Sequence, residues 1–349
     1  MQHKFDVIHL SPSNKIGGAE NAARQTSQIR SKYFNFNVFY INTAYHKNFI
    51  LRQINFLYKY FLSVYNLTKE PPDILIASLW KSYLVALTVS IFRPNTKYIM
   101  LLHSAYNKHF AEKIVTSLFS LRTSEIWADS KTSYNNRASH LYFKHKTNYQ
   151  IISFIFQNNL PFIDHSECSD FIYWGRLSPL KSIDISLRLF SLFSKENTDS
   201  KFFIIGPDDG DLERLKSLVR SFNLEEKVFF LGQLNFQQIV EISKKCKFFL
   251  QLSKKEGMAM SVVESMQLGL IPIVTSIGEI SSYCVDGYNS LIFLDNDMSI
   301  LVNKIKDIHS DHLRFKAMQL NAFNHWEGKP SYKKSLLKAC KDLMINSYT

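Results

Sequence analysis

What most restricts this chain is a rhythm in its apolar residues. Short unbroken apolar runs alternate with helix-length segments, stop, and then begin again. "FDVIHLS" reads as a strand and "GAENAARQTSQIR" as the helix after it; "FNVFYIN" is a second strand, followed by a long amphipathic stretch from His46 to Leu67. "DILIASL", "KYIMLLH" and "SEIWADS" continue as strands, with "KSYLVALTVSIF" and "HFAEKIVTSLFSL" as helices between them. Strands this short and this uniformly apolar must be covered on both faces, which implies a parallel sheet between two layers of helices. A less regular stretch, "FQNNLPFIDHSECSD", reads as a linker; after it the strands "FIYWGRL", "KFFIIG", "KVFFLG", "KFFLQLS" and "IPIVTS" alternate with helices once more. No fixed period ties the halves together, which excludes a solenoid. The pattern predicts two tandem doubly wound α/β domains, 1–160 and 161–325, with a cleft between them. Residues 326–349 are predicted to form a C-terminal helix packing back toward the first domain. In such sheets ligands lie beyond the carboxyl ends of the strands.

The 349 residues suit two domains. Four scattered cysteines (Cys168, Cys246, Cys284 and Cys340) form neither a CxxC pair nor a metal-ligand spacing, so they read as reduced thiols of a cytosolic protein. The opening "MQHKFDVIHLSPS" reads as a first strand, not a signal peptide, and "SYLVALTVSIF" is too short to span a bilayer. A soluble protein, or one held only at a membrane surface, is expected. The formal net charge of +12 is unevenly held: residues 1–160 carry 19 Lys and Arg against 7 Asp and Glu, whereas residues 161–349 carry 23 of each. The first half is therefore suited to an anionic partner: phospholipid, nucleic acid or a phosphorylated substrate.

The candidate site residues all fall at strand ends. Gly17 and Gly18 precede a helix beginning near Ala19, where backbone amides could approach an anion; an ordinary turn pair reads equally well. His103 ends "YIMLLH", either to hydrogen-bond a polar substrate or simply to close the strand. In "FIYWGRLSPLKSIDISL" Arg176 follows the strand-ending Gly175, and Lys181 begins the next helix. Together they could clamp a diphosphate, with a solvated loop charge as the plainer reading of either. In "KKEGMAMSVVESMQLG" a strand ends near Leu252, a loop carries Glu256 and Gly257, and a helix starts near Met260. Residues 257–260 then offer backbone N–H groups at a helix N-terminus. Glu264, about one turn inside, could accept two ribose hydroxyls or could pair along an exposed helix face; its apolar neighbours disfavour the solvated face.

The ordered set "GGAE", "LLH", "WGRLSPLKSID", "IIGPDDG", "FLG" and "EGMAMSVVE" followed by "IPIVTSIGE" resembles the retaining nucleotide-sugar glycosyltransferases of family 4. The likeness runs through nearly the whole chain and is strongest from Phe171 to Phe293. It implies the GT-B fold, two Rossmann-like domains about a cleft. It also implies that Arg176 and Lys181 hold the donor diphosphate, Glu264 the ribose, and Glu256 the transferred sugar. Gly257, Met258, Ala259 and Met260 would add main-chain contacts, Gly17 and Gly18 would lie at the diphosphate, and His103 would contact the sugar from the opposite domain. The family often has Gly or Pro where this chain has Ala259, so donor preference is expected to be set in the Met-Ala-Met run. Asp295-x-Asp297 resembles the metal-binding pair of the other large glycosyltransferase fold but stands too late in the chain. No metal and no cofactor are therefore expected.

The implied reaction moves a sugar from a UDP- or GDP-sugar to a hydroxyl of a glycan acceptor with retention. A basic acceptor domain suits a lipid-diphosphate-linked acceptor, as in bacterial surface polysaccharide assembly. Between His46 and Lys69, Lys47, Arg52, Lys59 and Lys69 mix with Ile50, Ile54, Phe56, Phe61 and Tyr65, a composition that suits a helix on anionic lipid or a core-packed helix with a basic face. A peripheral place on the inner face of the plasma membrane is expected. Two other readings compete: a sugar-nucleotide epimerase of the same fold, and a basic nucleic-acid-binding protein, for which no motif appears and in which Glu256 and Glu264 would have no role.

Overall fold

The computed structural model describes residues 4–14, 17–41, 48–103, 110–138, 141, 148–157, 160–294 and 298–345, the side chains of residues 49 and 52 excepted. His46, Lys47 and the Asp295-x-Asp297 pair lie outside the described residues, as does the Arg52 side chain. The chain forms two compact units: residues 1–156 joined by 330–349, and residues 157–329.

The first unit runs β1 (Phe5–Ser11), α1 (Gly18–Ser27), β2 (Phe34–Tyr40), α2 (Phe49–Lys69), β3 (Ile74–Ser78), α3 (Leu79–Phe92), β4 (Lys97–Leu102), α4 (Phe110–Ser120), β5 (Glu125–Ala128), α5 (Lys131–Ala138) and β6 (Asn148–Ile151). Its six strands are all parallel, in the order β2-β1-β3-β4-β5-β6. The continuous apolar runs are the buried strands: every residue of β3 is buried, as are all but the first of β4. Burial on both faces is why these strands do not alternate polar and apolar residues.

The second unit runs β7 (Asp170–Trp174), α6 (Ile183–Phe193), β8 (Phe202–Ile205), α7 (Leu212–Ser221), β9 (Val228–Phe230), α8 (Phe236–Ser243), β10 (Cys246–Gln251), α9 (Met260–Gln267), β11 (Ile271–Thr275), α10 (Ile280–Tyr283), β12 (Leu291–Phe293), α11 (Met298–Ser310) and α12 (His312–Asn324). Its parallel sheet is ordered β12-β11-β10-β7-β8-β9, around an aromatic core that includes Phe171, Phe190, Phe193, Phe202 and Phe248. The last helix, α13 (Tyr332–Ile345), belongs to the first unit. The Tyr332 amide donates to the Ile155 carbonyl (2.9 Å), and the Ser153 amide donates to Ser335 Oγ (3.1 Å). The second unit takes over at Gln157, whose carbonyl accepts from Gln267 Nε2 at 3.1 Å.

Both sheets have a point where the winding reverses. In the first it lies between β1 and β3, in the second between β7 and β10. Loops diverge there, leaving space beyond the carboxyl ends of the strands for a ligand.

Candidate functional site

The reversal point of the second unit gathers most of the expected residues. At the end of β7, Gly175 has φ +156°, and a side-chain carbon there would stand 2.7 Å from Tyr173 Oη. At the end of β8, a carbon on Gly206 would stand 1.8 Å from the Gly175 carbonyl oxygen. These close approaches leave Arg176 at the strand end. Its Nη1 pairs with Asp209 Oδ2 at 2.8 Å, both side chains about half exposed. Such a solvated pair is worth at most about 1 kcal/mol, so another anion could recruit the guanidinium.

Lys181 ends a short 3-10 turn, Pro179–Lys181, which the Lys254 amide ties to the β10–α9 loop through the Leu180 carbonyl (2.9 Å). Its ammonium lies 2.7 Å from Glu256 Oε1, and the two side chains are 17% and 7% exposed. Gln251 Nε2, at the end of β10, donates to the same oxygen at 2.8 Å, while Gln251 Oε1 accepts from Ser261 Oγ at 2.6 Å. Both donors converge on Oε1, so Glu256 is oriented with Oε2 left without a protein donor among the described residues.

The loop after Glu256 is clamped from behind. Gly278, at φ +56°, packs so closely that a side-chain carbon would lie 2.5 Å from the Glu256 carbonyl oxygen and 2.8 Å from that of Gly257. The Glu279 amide donates to the Gly257 carbonyl (3.0 Å) and Tyr283 Oη to that of Met258 (2.8 Å). The carbonyls are thus turned inward and engaged. The N–H groups of residues 257–260 have no acceptor among the described residues. Ala259 caps α9 in the left-handed region (φ 53°) with no side-chain cap bond, a conformation that costs a non-glycine residue about 1–2 kcal/mol. Met260 is the first residue of α9, and its end is an open anion-binding terminus.

Glu264 lies one turn inside α9, partly buried, with Trp174 Nε1 donating to its Oε2 at 2.9 Å. Burial pushes its pKa up to about 7, against the opposing hydrogen bond from Trp174. Glu256 and Glu264 are therefore anchored to different strands, one through Gln251 of β10 and the other through Trp174 of β7. They are not a coupled pair.

In the first unit, Gly17 caps α1 in an extended conformation (φ 179°) and Gly18 opens the helix. A side-chain carbon on Gly18 would meet nothing within 4 Å, whereas one on Gly17 would meet the Glu20 carboxylate at 2.4 Å. His103 follows β4 directly, with Nε2 2.6 Å from Ser78 Oγ and its ring edge-on to Phe154 (centroids 5.2 Å apart). Burial, with smaller contributions from His9 and Arg137, lowers its pKa to about 3, so it is an uncharged hydrogen-bonding group. Of the two readings of α2, core packing holds for only part of its apolar residues. Phe56 turns in against Trp80, but Ile50, Ile54, Leu57, Phe61 and Tyr65 are exposed. Phe61, Tyr65 and Phe92 line a groove of ≈ 660 Å³ whose walls also include Lys69 and Arg93.

Sequence reasoning missed Trp174, Gln251, Ser261, Tyr283 and Gly278, which hold the two glutamates and their loop. One signal was present: Gln251 is a polar residue closing a buried strand directly after the apolar run Phe248–Leu250.

Residues 165–325 match the family described as glycosyl transferases group 1. An uncharacterized glycosyltransferase of Methanocaldococcus jannaschii is 30% identical over 145 residues, 41% of this chain and 39% of that protein. The GDP-mannose:cellobiosyl-diphosphopolyprenol alpha-mannosyltransferase of Xanthomonas oryzae is 29% identical over 107 residues, 30% of this chain and 28% of that protein. The chain thus spans less than half the length of these curated relatives. Anabaena HepE, solved in complex with UDP, superposes with a TM-score of 0.77 at 16% identity over 98% of this chain and 100% of its own. This chain therefore has the GT-B glycosyltransferase fold, and its residues 165–325 match the group 1 glycosyl transferases.

Proposed function

We propose that the protein is a retaining glycosyltransferase of family 4. It would transfer a sugar from a UDP- or GDP-sugar to a hydroxyl of a glycan acceptor, best represented by a lipid-diphosphate-linked sugar. The observation that carries this reading is the assembly at the second unit's reversal point. There a lysine, a loosely held arginine and unpaired N–H groups meet one oriented carboxylate, Glu256, beside a second, Glu264. Lys181, Arg176 and the α9 terminus would hold the donor diphosphate, with the main chain at Gly17 and Gly18 also facing it. Glu264 would take the ribose hydroxyls, and Glu256 Oε2 and His103 would meet the transferred sugar. As the anomeric carbon–oxygen bond breaks, negative charge grows on the departing diphosphate, and the acceptor oxygen bonds the same face of the sugar while its proton passes to the departing diphosphate oxygen. Fixed cations and N–H groups aimed at that charge supply the largest stabilisation. On this reading the departure of the diphosphate would need no metal.

The relative from Xanthomonas oryzae, by its name, uses GDP-mannose and a diphosphopolyprenol-linked acceptor, and HepE binds UDP; both support the donor class. The exposed apolar face of α2, with Lys59 and Lys69 on the same helix, supports attachment to an anionic membrane surface. Among the described residues no helix is long and apolar enough to cross a membrane. That combination supports a role in surface polysaccharide assembly. Thermal-shift screening against UDP- and GDP-sugars tests the donor site, with Glu264→Ala as comparison. A sugar-nucleotide that stabilises the wild type and not the variant is expected, followed by UDP or GDP release when lipid-linked acceptors are added. Epimerised donor without transfer would favour the epimerase reading, and DNA or heparin retention without sugar-nucleotide binding would favour the nucleic-acid one.

A further inference from the structure

Four hydrogen bonds join five side chains of the first unit in one line. Tyr332 Oη lies 2.9 Å from Thr26 Oγ1, and Thr26 Oγ1 lies 2.8 Å from His9 Nδ1. His9 Nε2 lies 2.7 Å from Ser78 Oγ, which in turn lies 2.6 Å from His103 Nε2. Tyr332, Thr26, His9 and Ser78 are all fully buried.

The protons on this line can be counted. Thr26 Oγ1 also lies 3.0 Å from the Ala22 carbonyl, an obligate acceptor, so its single proton is committed there. Thr26 must then accept from His9 Nδ1, and His9 carries its proton on that nitrogen. Burial, with no carboxylate among its partners, holds His9 neutral, its pKa lowered to about 3, so its Nε2 is bare and accepts from Ser78. With its own proton spent on His9, Ser78 can only accept from His103. His103 is thereby the Nε2–H tautomer. Its Nδ1 is a buried lone pair with no donor among the described residues, an arrangement that is unfavourable until a donor arrives.

We infer that Thr26, His9 and Ser78 are positioning residues that lock His103 in the tautomer whose Nδ1 accepts a hydrogen bond from a hydroxyl of the transferred sugar. This rests on the reading that His103 meets that sugar. The line gives His103 a fixed sense, acceptor and not donor, so it selects for a sugar hydroxyl at that point and against a sugar that offers only an acceptor there.

Nitrogen-15 NMR of the imidazoles tests the line directly, since protonated and bare ring nitrogens resonate far apart. The wild type should show His103 bare at Nδ1. Thr26→Val removes the acceptor at the far end. The His9 proton then moves to Nε2, Ser78 turns to donate to His103, and the His103 proton shifts to Nδ1, two side chains from the substitution. Thr26→Ser should restore the wild-type pattern. Tyr332→Phe removes a donor that fixes no proton in the count, and should leave the pattern as it is. UDP-glucose and GDP-mannose serve as probes, whichever binds the wild type, beside the matching nucleoside diphosphate. In Thr26→Val the Kd of the sugar-nucleotide should rise about tenfold, equivalent to about 1.4 kcal/mol, with that of the diphosphate unchanged.

An unchanged His103 tautomer in Thr26→Val overturns the line. A shifted tautomer with unchanged sugar-nucleotide affinity leaves the line standing and removes His103 from the sugar, so the two failures are distinguishable. Should Thr26→Val not fold, Ser78→Ala asks the same question. It should leave His9 protonated at Nδ1 and release the bias at His103, and a His103 still held fully as the Nε2–H form would refute the proposal.

Discussion

Replacing Glu264 with glutamine should move stability and donor binding in opposite directions. The carboxyl is displaced from its ordinary value near 4.5 to about 7 because burial disfavours its charged form. At about 1.4 kcal/mol per pH unit this corresponds to a penalty on the order of 3 kcal/mol for holding the carboxylate in the folded protein. Its partial exposure reduces this, leaving about 1–2 kcal/mol. The folded state binds the proton more tightly than the unfolded state between pH 4.5 and 7. Stability therefore falls as pH rises through that window and is level above it. Glutamine keeps an oxygen for Trp174 Nε1 and carries no charge, so the Glu264→Gln variant lacks this fall. Thermal unfolding should give matching Tm values near pH 4 and a variant several degrees higher at pH 8, at about 2–4 °C per kcal/mol for a unit of this size. Titration calorimetry at pH 8 should show the reverse for the donor. Losing charged hydrogen bonds to two ribose hydroxyls costs at least tenfold in Kd, and wild-type affinity should itself rise from pH 6 to pH 8 as the carboxyl ionises. A Tm difference that is the same at both pH values would refute the burial argument. A stabilised variant with undiminished affinity would refute the ribose assignment.

Other outcomes follow from the same geometry. Gly278→Ala should cost about 2–4 kcal/mol, through the left-handed backbone and the contact with the Glu256 carbonyl, and should weaken donor binding. Gly287→Ala has a similar φ of +71° but nothing within 4 Å, and denaturant titration should show only the backbone cost, with binding intact. Lys181→Met should lower the transfer rate by about 10²–10³, because the cation facing the diphosphate is lost while Gln251 still holds Glu256; a fall below tenfold would displace Lys181 from that role. Transfer should survive EDTA, and restoration of a lost rate by Mn²⁺ would count against a metal-free departure of the diphosphate. Phe61→Asp should reduce cosedimentation with vesicles containing anionic lipid and leave sugar-nucleotide binding unchanged; equal vesicle binding would return α2 to the role of a solvated helix.

Much of this protein was legible locally. Apolar runs in a chain report burial, and burial on both faces reports a parallel sheet, so the positions of β1, β3, β4, β7 and β10 could be read directly from the residues. The loop-to-helix turn between Glu256 and Glu264 was equally legible, since a glycine after a strand and an apolar helical run after the glycine are neighbours in sequence. What the residues alone could not decide was which distant groups would answer those carboxylates. Lys181 reaches Glu256 across 75 positions and Trp174 reaches Glu264 across 90. Both contacts exist because β7 and β10 are adjacent at the reversal of the sheet, and strand order is a product of the whole fold. The same holds in the first unit, where "FDVIHLS" showed a histidine in a strand but not that Thr26, Ser78 and Tyr332 would converge on it. Local pattern determined the elements and the strand ends where chemistry belongs. Tertiary structure decided the protonation and orientation of the groups there, because burial and hydrogen-bond partners are set by the neighbours that folding brings together.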